Sequence, residues 1–388
     1  MNNNNWHEFD SEYVWHPYTQ MQLSPNATAI ERASGSYLYS SDGKKIFDAI
    51  SSWWVTLHGH AHPVIASAIA AQATTLEQVI FAGYTHEPAS VLAKKLIEKA
   101  PQGLTKVFYS DNGSTAVEAA LKMCVQYWDH KGEERTTFLA LENAYHGDTF
   151  GAMSASDRGT FTFPFRSLLF DVVRLPFPTP PADDSEAFSD AEQKFLDTLI
   201  KQCRENPSIA GFIYEPLLLG AGGMLTWRKQ VLDEAIRIAN TYSVLTIADE
   251  VLTGFGRTGY FFASESAGSS PDIMTLSKGI TGGFLPLGVT LCSKKIYDAF
   301  LSNDRKKTFF HGHSYTGNPI SCAAAVASLS IFENEPVAER INTINAVHNE
   351  RMTALGNKHN ATVRILGTMA AIEPKDSTGY LNTLSLAI

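Results

Sequence analysis

Leu245-Thr-Ile-Ala-Asp249-Glu250-Val-Leu-Thr-Gly254-Phe-Gly256-Arg257-Thr-Gly259, followed by Pro271-Asp-Ile-Met-Thr-Leu-Ser277-Lys278-Gly279, decides how this chain folds. Both stretches open on a short apolar run with little polar alternation, as expected of strands whose two faces are covered by helices. The first run leaves a carboxylate, Asp249, at its exit, and the second leaves an amine, Lys278. Strand exits are the edge at which open α/β sheets place ligands. A carboxylate at the end of so apolar a strand is costly without a charged or hydrogen-bonding partner. A protonated ring nitrogen, a helix terminus or a loop amide would each satisfy Asp249. The Lys278 amine, desolvated between two glycine-rich turns, can lose its proton and attack an aldehyde; the plainer alternative is a solvated or anion-pairing lysine.

Working outward, the same strand, turn and helix rhythm starts near residue 105. Thr105–Tyr109, Thr136–Ala140, Val172–Leu175, Ile209–Tyr214, Ser243–Ala248, Ile273–Leu276 and Gly288–Cys292 are predicted strands, which makes the fold class α/β with a mostly parallel sheet. Helices are expected at Pro63–Gln78, His86–Lys99, Glu192–Glu205 and Val337–Leu355. Asn318-Pro319 is suited to open an Ala-rich helix that runs to about Phe332. Phe177–Ala191, rich in Pro, Asp and Ser, reads as a surface loop. Toward the N-terminus the first 35 residues read as a polar, aromatic arm, followed by strand-like pieces at Ser36–Tyr39 and Lys45–Asp48. A strand near Thr362–Leu366 starts a second small unit, and the final residues, Leu384–Ile388, read as helical.

Composition excludes several classes. With 388 residues, 44% of them apolar, the chain can build one large core and a satellite. A net charge of -9 and the lack of a basic block argue against a nucleic-acid or anionic-membrane surface. The four cysteines form no CxxC pair, no run of apolar residues is long enough to span a bilayer, and the first residues lack a secretory pattern, so a reducing cytoplasmic setting is expected. His58, His60 and His62 alternate, as do His311 and His313, but neither set has a carboxylate framework, and no metal site is expected.

Tyr109-Ser-Asp-Asn112-Gly113-Ser114-Thr115 leaves a strand and opens a helix, where free N–H groups and hydroxyls can hold a phosphate or serve as an ordinary cap. Gly254-Phe-Gly256-Arg-Thr-Gly259 matches GxGxxG, yet an aromatic segment and no helix follows it, so a dinucleotide site is rejected. Tyr145, in Tyr145-His146-Gly147, offers a face for a planar ring or a tyrosine packed in its loop.

Together these residues resemble the class III branch of the fold-type I aminotransferases that depend on pyridoxal 5'-phosphate, over nearly the whole chain. The match at Leu245–Gly259, Pro271–Gly279 and Thr281-Gly-Gly is specific to that class. The resemblance implies a large cofactor-binding domain, 61–330, and a small α+β domain built from both chain ends. These ends are an arm and part of the small domain, 1–60, and its C-terminal part, 331–388, which stops short of the family's usual terminus. By resemblance, Lys278, Asp249 and Tyr18 are catalytic, and Gly113, Ser114, Tyr145, Asp249, Lys278 and Ser314 bind the cofactor. Ser314 would act from a neighbouring subunit, which implies a homodimer with shared sites.

Trp15-His16-Pro17-Tyr18-Thr19-Gln20, Asp48-Ala-Ile-Ser-Ser-Trp53-Trp54 and Ser110–Ser114 narrow the resemblance. They point to members that pass an amino group from S-adenosylmethionine to 8-amino-7-oxononanoate, giving 7,8-diaminononanoate in biotin biosynthesis by a ping-pong route. Tyr18, Trp53, Trp54 and Gly312 would then line the substrate channel; without the resemblance the aromatic residues read as anchors of the arm. Gly312-His313-Ser314 replaces the Gly-Pro-Thr of many such members and keeps lysine open as the donor. Another ω-amino-acid or diamine aminotransferase, and a non-catalytic cofactor-binding regulator, are the competing functions.

Overall fold

The computed structural model describes residues 6–24, 26–181 and 185–375; the helix expected at Leu384–Ile388 lies outside them. Strands β1 (Ile30–Ser34), β2 (Tyr37–Ser40) and β3 (Lys45–Phe47) form an antiparallel meander. The central sheet is made of β4 (Leu104–Ser110), β5 (Thr137–Leu141), β6 (Val172–Leu175), β7 (Ile209–Tyr214), β10 (Leu245–Asp249), β11 (Ile273–Leu276) and β12 (Gly288–Ser293). A short hairpin of β8 (Leu218–Leu219) and β9 (Leu225–Thr226) follows β7, and β13 (Ala361–Leu366) pairs with β14 (Met369–Pro374) near the end of the described chain.

The sheet order is β4-β12-β11-β10-β7-β5-β6, and every neighbour is parallel except β12, which runs against both β11 and β4. The reason is connection length. A parallel return needs a crossover of a dozen residues or more, whereas β11 leads to β12 through a short 3-10 turn at Lys278–Thr281 and the Gly282-Gly283 bend. Central strands are buried along their length, every residue of β7, β10 and β11 included. Phe195, Phe212 and Trp227 pack edge to face or tilted beneath them, and each such side chain contributes about 1.5–3 kcal/mol by leaving water.

The strand register brings the exits together. Asp249 lies opposite Thr275, and Ala248 opposite Tyr214, so the residues following β7, β10 and β11 emerge side by side. The cap expected at Asn318 is present, its side chain accepting from Ser321 N at 2.9 Å. At the start of the helix Gly113–His130 the cap is Asn112, which forms a reciprocal capping box with Thr115. The helix from Pro63 stops at Ala73, short of the expected Gln78: the hydroxyls of Thr74 and Thr75 both donate to Ala71 O, and this local bonding competes with the helical ladder. The N-terminal arm contains a short helix, Trp6–Tyr13, with no buried residue. No helix among the described residues is long and apolar enough to cross a membrane.

Candidate active site

The exits of β7, β10 and β11 open into a cavity of about 720 Å³. On its floor Asp249 is held from three sides: Oδ2 lies 2.7 Å from His146 Nδ1, while Oδ1 accepts from Val251 N at 3.1 Å and Thr275 Oγ1 at 3.3 Å. Asp249 and His146 are both buried. Glu215, one residue beyond β7, accepts from Tyr145 N at 3.1 Å and Gly220 N at 2.9 Å. Burial pushes its carboxyl up to about 7; His146 opposes that rise and the Asp249 charge adds to it.

Lys278 stands on the same floor, the first residue of its 3-10 turn, with φ of +41°. A left-handed lysine is uncommon and here results from a chain that must leave β11 and turn at once. Desolvation lowers its amine below the ordinary lysine value, against the pull of Asp249 and Glu215. The ammonium form is therefore easier to discharge than in water. Its Nζ lies 5.4 Å from the centroid of the Trp54 ring.

At another side of the cavity the helix Gly113–His130 begins. The Asn112 side chain takes the Thr115 N–H, leaving the amides of Gly113 and Ser114 without a protein acceptor among the described residues. A Cβ at Gly113 would meet Val251 Cγ1 at 2.7 Å, so only glycine lets this helix start sit so close to the segment after Asp249. Ser114 Oγ accepts from Asp148 N at 3.2 Å and is thereby fixed beside the same opening.

The rim is aromatic. Tyr18 lies edge-on to Trp53, 5.5 Å between centroids, and its hydroxyl donates to Asp148 Oδ2 and lies 3.4 Å from the Tyr145 hydroxyl. Ser51, Ser52, Trp53 and Trp54 all have positive φ, 49°, 48°, 61° and 64°. A run of left-handed residues costs about 1–2 kcal/mol each, so other contacts must hold it. Arg257, buried in the glycine-rich segment after β10, donates to Trp54 O. That segment has Gly256 and Gly259 at positive φ and leads into no long helix, in keeping with the rejected dinucleotide motif.

Lys278, Asp249, Gly113, Ser114, Tyr145, Trp53 and Trp54 thus line one cavity, although they come from distant parts of the sequence. Gly312 and Ser314 do not join it within the chain. Both are exposed, and Ser314 O accepts from Gln78 Nε2 at 2.6 Å. His146, Glu215, Asp148 and Arg257 were not singled out from sequence. Glu215 had a usable signal, since Tyr214-Glu215 repeats the pattern of an apolar strand ending on a carboxylate. The others depend on loops whose approach no local pattern encodes. Among the described residues no set of three His, Cys, Asp or Glu side chains converges on a metal position; His60 instead pairs with Asp48, His62 with Glu335, and His58 with Ser328.

This donor set fits a flat, phosphorylated pyridine aldehyde. It offers a buried carboxylate for a ring N–H, an amine of lowered pKa for an aldehyde, and two free helix amides for a phosphate. The buried His146 Nε2, which has no partner among the described residues, marks the floor as built for more than internal packing.

Comparison with known proteins places this geometry. The family model for class-III aminotransferases matches residues 18–384. An adenosylmethionine-8-amino-7-oxononanoate aminotransferase of Synechococcus elongatus is 45% identical over 379 residues, covering 97% of this chain and 88% of that protein. One from Geobacter sulfurreducens is 41% identical, with 94% and 83% covered. The crystal structure of the enzyme of that name from Methanocaldococcus jannaschii superposes with a TM-score of 0.90 at 36% identity, covering 96% of this chain and 85% of the other. With a buried lysine and aspartate at neighbouring strand exits and this likeness along almost its whole length, the chain belongs to the class-III aminotransferase family of pyridoxal-phosphate enzymes.

Proposed function

We propose that the protein transfers an amino group from S-adenosylmethionine to 8-amino-7-oxononanoate, forming 7,8-diaminononanoate in biotin biosynthesis through two successive half-reactions in one site. The observation that carries the chemistry is the convergence of Lys278 and Asp249 in a single cavity; the substrates follow from the relatives' names together with the aromatic rim. Pyridoxal phosphate, when bound, supplies the aldehyde that takes up the amino group and the ring that draws electrons from the broken bond. Asp249, oriented by His146, would hold a proton at the ring nitrogen. Lys278 Nζ, easily discharged in its desolvated position, would take a proton from the donor carbon in the first half-reaction and deliver one to the acceptor carbon in the second. Gly113 and Ser114 would bind the phosphate, and Tyr145 would lie against the ring.

Tyr18, Trp53 and Trp54 give an apolar wall with polar edges, suited to a site that must receive an alkyl keto acid after a sulfonium donor. The Gly312-His313-Ser314 segment, exposed at Gly312 and Ser314, would complete a neighbouring subunit's site in a homodimer. The exposure of Trp15, Phe310 and Tyr315, at 86%, 70% and 65%, supports a covering partner. The antiparallel sheets β1–β3 and β13–β14 stand apart from the central sheet, which supports a boundary between a large domain, 61–330, and the end segments, 1–60 and 331–388. Mass-spectrometric detection of 7,8-diaminononanoate from purified protein, with S-adenosylmethionine or lysine as the sole donor, tests the assignment. Product with S-adenosylmethionine is expected; product with lysine alone would move the donor, and none with either would reject the reaction.

A further inference from the structure

The left-handed turn Ser51–Trp54 sets the aromatic rim, and its grip is outside the cavity. Asp48 Oδ1 accepts from Ser52 N at 3.0 Å, and Asp48 Oδ2 accepts from Ser52 Oγ at 2.8 Å. The same Oδ2 lies 2.8 Å from His60 Nε2. Both side chains are largely withdrawn from water, 5% exposed for Asp48 and 16% for His60. Each is also tied down through its backbone: Asp48 N donates to Ser36 O, and His60 exchanges two backbone hydrogen bonds with Gly35. The carboxylate therefore links the bend before β2 to the second residue of the turn.

The residues just after the turn rest on the segment that carries the lysine. A Cβ on Gly279 would come within 2.8 Å of Leu57 Cδ1, and one on Gly283 within 3.1 Å of the Thr56 backbone. The chain following Trp54 is thus packed against the Lys278 turn without slack. A residue that passes from left-handed to right-handed backbone redirects its Cβ, so releasing Ser52 would swing Trp53 and Trp54 relative to Lys278.

We propose that Asp48, braced by His60, is a positioning residue that holds Trp53 and Trp54 in place as the acceptor wall. This rests on the function proposed above, in which those tryptophans meet the acceptor. Asp48 does not line the cavity; it acts through the backbone N–H and the hydroxyl of Ser52.

The test uses full-length holoenzyme labelled with 5-fluorotryptophan, whose six tryptophans give separable fluorine resonances; Trp53→Phe and Trp54→Phe assign two of them. Asp48→Ala should shift or broaden the Trp53 and Trp54 signals and leave those of Trp128 and Trp227 unmoved. It should also raise KM for 8-amino-7-oxononanoate about tenfold, with a smaller change in kcat. Asp48→Asn, which keeps one acceptor oxygen, should give an intermediate shift and serves if the alanine variant does not fold. Adding Ser52→Gly to either variant should restore most of the KM, because glycine adopts positive φ without cost. Unmoved Trp53 and Trp54 signals, all six signals moving together as Tm falls, or an unchanged KM would each overturn the proposal. If wild-type protein makes no diamine from this acceptor, the assigned reaction fails, while the fluorine spectra still judge the grip of Asp48 on the turn.

Discussion

The floor and the rim of the cavity are built on opposite principles. The floor consists of charged groups at the ends of fully buried strands: Asp249 after β10, Glu215 after β7 and Lys278 after β11. Their positions are fixed by the sheet, and burial shifts the protonation of Glu215 and Lys278. The rim consists of half-exposed aromatic side chains, Tyr18 and Trp53, on a loop and a left-handed turn held by a few hydrogen bonds. A sheet fixes what chemistry is done, since every parallel strand emerges on the same edge; loops fix on what, since they can be re-aimed without disturbing the core.

Breaking the floor should cost most. Lys278→Ala should lower turnover by about 10^4-fold, the upper range for loss of a positioned acid-base group; a loss of only tenfold, measured by diamine formation, would move the proton transfer to another residue. Asp249→Asn should lower kcat by about 10^2–10^3-fold, as for a misplaced charge-stabilising group, with the KM values less affected. A variant of near-normal rate would mean that the ring nitrogen is not met here.

Behind the rim the effect should fall on stability. Burial, with His62 adding and Glu335 opposing, lowers His58 to about 4 from 6.5. The unfolded chain therefore binds this proton below about pH 6.5 while the folded chain refuses it until about 4. Stability should fall as pH drops through that window, by on the order of 2 kcal/mol from this group. Denaturant titrations at both ends of the window should show a shallower pH dependence for His58→Gln; an unchanged slope would assign the proton uptake elsewhere.

The smallest effect should come from the exposed segment. Ser314→Ala should weaken cofactor retention about three- to tenfold through loss of a single hydroxyl contact across subunits. Equilibrium dialysis of the cofactor checks this, and unaltered retention would leave Ser314 outside the partner's site.

Much of the floor was legible because its signals are local. A mostly apolar run leading to Asp249 or Lys278 states both a buried strand and an exit, and seven short runs read as strands correspond to the seven strands of the sheet. Caps at Asn112 and Asn318 were equally local. The reversed direction of β12 was not visible, since it depends on how quickly the chain returns after Lys278. His146 and Arg257 were missed because each acts on a residue far along the chain, Asp249 and Trp54. The left-handed turn was hidden too: nothing in Ser-Ser-Trp-Trp favours positive φ, and contacts from outside it, those of Asp48 with Ser52, of Arg257 with Trp54 O and of Leu57 with Gly279, help impose it.

The sequence by itself determined the alternation of strands and helices, the carboxylate and amine at two strand exits and the capped helix start at Gly113, because burial and capping are written in neighbouring residues. Tertiary structure decided that these exits face one cavity, that His146 orients Asp249 and that Trp54 stands beside Lys278 with Trp53 lining the same cavity. Those are contacts between segments far apart in the chain, and they come into being only when the sheet register and the packing of loops bring them within a few ångströms.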